Sequence, residues 1–210
     1  VGSGKTVVGA LAILHATENS YQSALMCPTE ILAEQHYENL SKWFNGLNIK
    51  VALLTGSTSN RKRTKIIQEL YDGKIQILIG THALFQSDVI FKKLGLTVID
   101  EQQRFGVHQR FSLLQKGGST NQSPHQLIMT ATPIPRTLAM TVYGSLEISI
   151  INEMPPGRIP VQTSARPNSM RNKVIKRIEQ ICLEGQKVYW VCTLIEDSEE
   201  LEAQSAQDLF

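Results

Sequence analysis

Short apolar runs alternate along the chain with stretches whose apolar residues recur at helical spacing. Val7, Val8, Ala10, Leu11 and Leu14 suit a first helix. Ser23 to Cys27 is a compact apolar run that stops at Pro28, as a buried strand would. Thr29 stands where a helix cap is wanted, ahead of Ala33, Tyr37, Leu40 and Phe44, and Gly46 ends that helix. A strand follows over 50–54, then a helix opening at Ser59 or Asn60 and closed by Asp72-Gly73, then strands over 75–79, 96–99 and 126–129. Strands alternating with helices predict an α/β fold: a doubly wound, mostly parallel sheet. Lys116 to Pro124 is a polar loop, and Leu146 to Ile151 is a further β-like run. Pro155-Pro156-Gly157-Arg158-Ile159-Pro160 then breaks regular structure. Beyond it the pattern predicts a strand over 161–165, a helix from Ser169 with Met170, Val174, Ile178 and Ile181 on one face, and a strand over 187–192. The chain therefore divides into a first domain over 1–153, a linker over 154–160, and the start of a second α/β domain over 161–210.

Polar clusters sit just past the carboxyl ends of the strands, where open α/β sheets bind ligands. The most specific chemistry precedes the first strand. Gly2-Ser3-Gly4-Lys5-Thr6 reads as the end of a phosphate-binding loop, G-x-x-x-x-G-K-[ST], whose first glycine would precede Val1. Gly2 and Gly4 let the backbone turn its N–H groups toward a polyphosphate. Lys5 reaches the β/γ-phosphates, the Thr6 hydroxyl is suited to Mg²⁺, and the helix that follows turns its positive end to the phosphates. An ordinary glycine-rich turn entering a helix is the competing reading. Asp100-Glu101 ends an apolar strand, as a Walker B element does, with Asp100 holding Mg²⁺ and Glu101 orienting the attacking water. Thr130-Ala131-Thr132-Pro133 places two hydroxyls beside that acidic pair, although Thr and Pro also favour plain turns. Pro28-Thr29-Glu30, Thr55-Gly56 and Gly80-Thr81-His82 form a second set of turns. Each alone is best read as structural; together on one sheet edge they suggest a surface that tracks a phosphate backbone.

Composition changes this picture little. A net charge of +2 over 210 residues does not argue for nucleic acid by itself, so any basic track must be local. Arg61-Lys62-Arg63 with Lys65 is such a stretch, read first as a solvated helix face. Three cysteines without a C-x-x-C pair point to a reducing compartment and no zinc site. His15, His36, His108 and His125 lack metal-ligand spacing and read as structural or surface residues. No apolar run reaches membrane-spanning length.

These segments together resemble the superfamily 2 helicases, P-loop NTPases with two RecA-like lobes, and more closely the bacterial branched-DNA helicases among them. The resemblance is carried by VGSGKT (1–6), PTEILAEQH (28–36), LLTGS (53–57), IGTHALFQ (79–86), VIDEQQRFGVHQR (98–110), LIMTATPIPRTLAMT (127–141), MPPGR (154–158) and VYWVCTLIEDSEELEAQ (188–204). GTHAL and TATPIPRT also resemble the transcription-repair coupling translocases, the nearest alternative; YGSLEIS and MPPGR favour the branched-DNA helicases. The resemblance implies a first RecA-like lobe and the beginning of a second. It implies ATP and Mg²⁺ as cofactors, with Gly2, Ser3, Gly4, Lys5 and Thr6 on the nucleotide, Thr6 and Asp100 on the metal, and Glu101, Asp100 and Lys5 as catalytic residues. Pro28, Thr29, Glu30, Thr55, Gly56, Gly80, Thr81 and His82 match its strand-contact motifs. Thr130 and Thr132 match the motif that couples hydrolysis to strand movement.

The family's D-E-Q-H is Asp100-Glu101-Gln102-Gln103 here, and Gln103 can donate and accept hydrogen bonds but cannot become cationic, which bears on the same coupling. The implied activity is ATP-driven unwinding and rewinding of forks and Holliday junctions in recombination and repair. The implied protein acts as a monomer in the bacterial cytoplasm, at the nucleoid, with single-strand-binding protein as a possible partner. The wedge domain that splits branched DNA and the later arginine-bearing motifs are expected outside these residues, so the 210 residues alone are expected to hydrolyse ATP poorly. A small-molecule phosphotransferase and a non-catalytic binding fragment are the rivals from other classes; stimulation of ATP hydrolysis by DNA separates them.

Overall fold

The structure is a computed structural model, and it describes residues 2–101, 123–132, 147–153 and 157–191. The elements of the first part are α1 (Lys5–Glu18), β1 (Gln22–Met26), α2 (Glu30–Trp43), β2 (Val51–Leu54), α3 (Asn60–Tyr71), β3 (Ile77–Gly80), β4 (Leu94–Asp100) and β5 (His125–Met129), with a single 3₁₀ turn over His82–Phe85. The five strands form one sheet in the order β2-β3-β1-β4-β5, and every pairing is parallel. The strand and helix boundaries fall within a few residues of those predicted from periodicity, because both faces of a doubly wound sheet are covered and its strands must be apolar throughout.

Two apolar layers flank the sheet. Ala10 and Ile13 of α1, Ala33 and Leu40 of α2 and Phe44 at its C-cap pack on Leu25, Ile77, Ile79, Leu96, Val98 and Met129. Ile66 and Leu70 of α3, with Leu84, Val89 and Phe91, pack on Ala24, Met26, Leu54, Leu78 and Ile99 from the other side. Successive strand residues point to opposite layers, so β1 gives Ala24 and Met26 to one and Leu25 to the other. β4 breaks this parity once: Leu94 faces the α3 layer and Leu96 the α1/α2 layer. The β1–β4 register shifts there, with Gln22 opposite Leu94 but Ser23 opposite Leu96, so Gly95 is the extra residue of a bulge. A Cβ on Gly95 would stand 2.5 Å from the Tyr21 ring, which is why the bulge carries glycine.

A buried side chain closes the end of the sheet opposite the site. Gln22 Nε2 donates to the carbonyls of Leu70 (2.9 Å) and Ile75 (2.7 Å), and its Oε1 accepts from the Lys93 N–H (2.9 Å). One amide thus ties three connections together, and it pairs the Ile75 carbonyl and the Lys93 N–H; the Leu70 carbonyl also accepts from the Gly73 N–H (3.0 Å).

The chain falls into two compact units, Val1–Arg158 and Ile159–Phe210. In the second, a 3₁₀ turn over Asn168–Met170 runs into α4 (Arg171–Leu183). In the runs predicted as strands over 146–151, 161–165 and 187–192, the described residues 147–151, 161–165 and 187–191 are irregular. Ile159, Val161, Tyr189 and Val191 are all more than four-fifths exposed. An isolated extended segment has no ladder to join, so apolar character alone does not make it a strand. The helix over 171–183 keeps its predicted periodicity but buries none of its residues.

Candidate nucleotide and strand-contact site

The first turn of α1 is built by two left-handed glycines. Gly2 has φ 77° and Gly4, at the helix N-cap, φ 85°, a region in which an L side chain is strained. Successive left-handed and helical residues turn their N–H groups into one concavity, and the α1 N-terminus adds its dipole. The loop's position follows from Gly9, one turn further on. A Cβ there would stand 3.1 Å from the Met129 sulfur at the end of β5 and 3.7 Å from Val98 of β4. Lys5 and Thr6 therefore lie toward the carboxyl edge of the sheet, beside β4 and β5. The Arg158 guanidinium packs against Gly2, where any side chain would collide with it. Arg158 falls in the predicted linker, and the geometry puts its guanidinium at the loop, against Gly2.

Asp100 is the last residue of β4, and its side chain is 15 % exposed. Both carboxylate oxygens are engaged. Oδ1 accepts from the Glu101 N–H (3.1 Å), and Oδ2 is bonded to His36 Nε2 (2.8 Å). Glu101 follows at φ 52°, and its N–H also donates to the Met129 carbonyl (2.9 Å). A glutamate in the left-handed region is uncommon and costs about 1–2 kcal/mol, held here by two hydrogen bonds from one N–H. This turn takes the backbone at Glu101 out of the line of β4. Beneath it lies Cys27, whose thiol burial pushes far above its ordinary range, with the negative charge of Asp100 adding to the effect. That thiol stays protonated and inert.

Of the two roles expected for His36, structural or surface, the structure shows a buried one. The residue lies in α2, 6 % exposed, and its Nδ1 has no partner among the described residues. The signal was present: a polar ring stands between Ala33 and Leu40 on the apolar face of the helix. Its partner lies 64 residues away in sequence, so spacing did not reveal it.

The second set of turns gathers along the same edge, with Met26 opposite Gly80 and Leu54 opposite Gly80 in the ladders. Thr29 caps α2, its Oγ1 accepting from the Leu32 N–H (3.4 Å). Glu30 braces the next turn: its carboxylate accepts from the Ser57 N–H (3.2 Å) and the Ser57 hydroxyl (2.7 Å). Thr55 bonds Ser57 Oγ (2.9 Å) and, through its N–H, Thr58 Oγ1 (3.0 Å). Pro28 is half-buried, Gly56 is exposed, and a Cβ on Gly56 would crowd Glu30. Gly80 has a packing reason of its own, since a Cβ would strike the Leu54 carbonyl. Thr81 is buried, while His82 is exposed, edge-on to Phe85. Two surfaces thus share one edge, the loop with Asp100-Glu101 and the turns at 28–30 and 55–57, and His36 bridges them.

Thr130 and Thr132 form a closed turn: the Thr132 N–H donates to Thr130 Oγ1 (3.2 Å), which also bonds the Thr132 carbonyl (3.2 Å). Gln103 lies outside the described residues. In the basic stretch, Arg63 is half-buried and makes a two-pronged contact with Asp88, 2.8 Å at closest, so it anchors α3 to the 86–91 segment. Arg61, Lys62 and Lys65 are exposed.

The donors fit the implied groups. Thr6 and Asp100 offer hydroxyl and carboxylate oxygens, the hard ligands Mg²⁺ takes, and each Asp100 oxygen keeps a lone pair beyond its hydrogen bond. The left-handed glycine turn at a helix N-terminus fits a polyphosphate.

A parallel sheet in this order, with a glycine-turned helix N-terminus and an acidic pair at a neighbouring strand end, defines a RecA-like P-loop nucleotide-hydrolase fold. The chain belongs to the DEAD/DEAH box helicase family, whose model matches residues 1–141. Over almost its whole length it is similar to proteins named ATP-dependent DNA helicase RecG: 54 % identical over 208 residues to those of Pasteurella multocida and Escherichia coli K12, and 47 % over 210 residues to that of Bacillus subtilis. These alignments take in 99–100 % of this chain and 30 % of each relative, so the chain spans under a third of their length. A solved structure of RecG bound to a three-way DNA junction superposes on 88 % of the chain and 24 % of its own, with TM-score 0.73 and 48 % identity.

Proposed function

We propose that this chain supplies the ATP-hydrolysing lobe, and the start of the second lobe, of an ATP-dependent helicase that remodels branched DNA. The observation that carries the proposal is the convergence at one sheet edge of the Gly2–Thr6 turn and the Asp100-Glu101 strand end. The similarity to a RecG captured on a three-way junction supports branched DNA, forks and Holliday junctions, as the substrate class. Monomeric action, contact with single-strand-binding protein and a place at the bacterial nucleoid belong to the same proposal and rest on the resemblance.

In this reading the N–H groups of the Gly2–Thr6 turn and the Lys5 ammonium hold the β/γ-phosphates, with Arg158 adding positive charge at Gly2. Thr6 and Asp100 would hold Mg²⁺, which when bound supplies charge neutralisation at the phosphate oxygens. Glu101, turned out of the strand by its left-handed backbone, orients and polarises the attacking water. Thr29, Gly56 and His82 face the nucleic-acid backbone from the surface, with the buried Thr55 and Thr81 shaping the turns beneath them, while Glu30 braces the turn at 55–57 rather than meeting phosphate, which would repel it. Thr130 and Thr132, with Gln103, relay the state of the nucleotide.

The test uses the complete protein that carries these residues. Lys5→Ala is expected to lose productive ATP use, and Glu101→Gln to bind ATP without hydrolysing it, measured as nucleotide binding and as phosphate release with and without forked DNA. Wild-type turnover in the Glu101→Gln protein would sink the assignment.

A further inference from the structure

We propose that His36 is a positioning residue of the nucleotide site: its Nε2 fixes the Asp100 carboxylate and ties it to α2, the helix that begins at the strand-contact turn. The inference rests on the reading of Asp100 as a metal-holding carboxylate. Three observations carry it. The bond is short, 2.8 Å, and joins a 6 % exposed histidine to a carboxylate that is 15 % exposed. A carboxylate oxygen needs a donor, so Nε2 carries a proton, and Nδ1 has no partner among the described residues. A buried polar ring with one nitrogen unsatisfied is not a packing choice an apolar helix face makes unaided; Leu at this place would bury no unpaired ring nitrogen, but it would take the donor from Asp100 Oδ2.

The second carboxylate oxygen is held by the Glu101 N–H at 3.1 Å, so Asp100 is clamped from two sides, by its own turn and by α2. The two clamps have different reach. The Glu101 bond is local and moves with β4. The His36 bond crosses to a helix whose cap is Thr29 and whose Glu30 grips Ser57. A displacement of the turns at 28–30 and 55–57 is carried along α2, which is rigid over the two turns between Thr29 and His36, to one oxygen of Asp100. Residues that orient a metal-holding carboxylate are worth about 10–100-fold in metal affinity when removed.

The experiment compares His36→Leu, His36→Gln and Asp100→Asn in the complete protein. Gln places an amide N–H where Nε2 stands; Leu keeps bulk and removes the donor. The readouts are the Mg²⁺ concentration giving half-maximal binding of a fluorescent ATP analogue, with and without forked DNA, and the thermal midpoint. His36→Leu is expected to raise the Mg²⁺ midpoint about tenfold. Forked DNA is expected to shift that midpoint in the wild type and not in His36→Leu; a wild type without the shift would overturn the link through α2. His36→Gln is expected to restore most of both the midpoint and the shift, at a thermal midpoint close to that of His36→Leu. Equal losses in the Leu and Gln proteins would reduce His36 to a packing residue and overturn the inference, as would an unchanged Mg²⁺ midpoint in His36→Leu beside a raised one in Asp100→Asn. A DNA-induced shift of wild-type size in His36→Leu would overturn the link through α2. An unchanged midpoint in Asp100→Asn would instead show that the reading of Asp100 is wrong, and the inference would fall with it.

Discussion

The site is held together by single polar atoms placed where the backbone cannot serve. Asp100 is bonded at both oxygens, Glu101 is forced into a left-handed turn, and Gln22 ties three connections at the other end of the sheet. Each makes a sharp prediction. Gln22→Leu takes their side-chain partner from the Ile75 carbonyl and the Lys93 N–H, while the Leu70 carbonyl keeps the Gly73 N–H, at about 1–3 kcal/mol for each group that water cannot reach. The expected loss of unfolding free energy in urea is therefore at least about 2 kcal/mol. At Glu101 the comparison is between two truncations: Glu101→Gly is expected to be more stable than Glu101→Ala by about 1 kcal/mol, because only glycine occupies the left-handed region without penalty. Equal denaturation midpoints for the pair would show that the turn is unstrained. Both truncations lose the proposed water-orienting carboxylate, so turnover should fall in both, while only Glu101→Gly relieves the backbone strain, as expected where strain is kept for function.

At the scale of elements, close approach between strands decides residue types that a motif reading would credit to ligand contact. Gly80 matches a strand-contact motif, yet its lack of a side chain is already required by the Leu54 carbonyl of the neighbouring strand. Gly80→Ala is expected to part β2 from β3 and to destabilise by about 1–3 kcal/mol, the usual range for overpacking a filled interior, measured on a protein with no nucleic acid present. An alanine protein of unchanged stability that bound DNA weakly would return Gly80 to the strand-contact surface. Thr29 likewise serves its helix: Thr29→Ala is expected to lose about 0.5–1 kcal/mol, the low end for a cap, since its hydrogen bond is long at 3.4 Å. The bulge at Gly95 shows the same logic on the other side of β1. One inserted residue turns the second half of β4 over, which puts Val98 under α1 and carries the strand forward to present Asp100 at the edge.

Across the whole molecule, charge and burial are unevenly spread. Glu69 of α3 is held below its ordinary carboxyl range, first by the hydrogen bond from Lys50 (2.9 Å), which precedes β2, while Asp72 is held low by Lys74 and Gln68. A carboxylate whose folded value is depressed contributes stability above its unfolded value and loses it as pH falls through the folded one. Stability should therefore decline on acidification below the ordinary carboxyl range, and Lys50→Met should flatten the part of that slope owed to Glu69, readable as an upward move of the Glu69 titration by NMR. The second unit contrasts with the sheet. α4 buries no residue, and Leu183 is 83 % exposed, while Ile77, Leu78 and Ile79 are fully buried. Amide hydrogens over 171–183 are expected to exchange far faster than those of β1, β3 and β4 in a native-state exchange experiment. Matching protection would mean that the second unit carries a core of its own.

The sequence by itself determined the order of elements and the loop. Apolar runs of strand length separated by helical periodicity leave one economical arrangement, and Gly2, Gly4, Lys5 and Thr6 stand so close together that local backbone chemistry alone shapes their turn. It also marked Asp100-Glu101, because a strand that must be apolar advertises the acid that ends it. Only the tertiary structure decided what touches Asp100, what Gly80 and Gly95 are for, that Glu30 grips Ser57, and that the apolar runs after 146 join no ladder among the described residues. The reason is range. Helical and strand periodicities are set by neighbours a few residues apart, whereas His36 and Asp100 meet across 64 residues, and a strand exists only when another strand lies beside it to take up its hydrogen bonds.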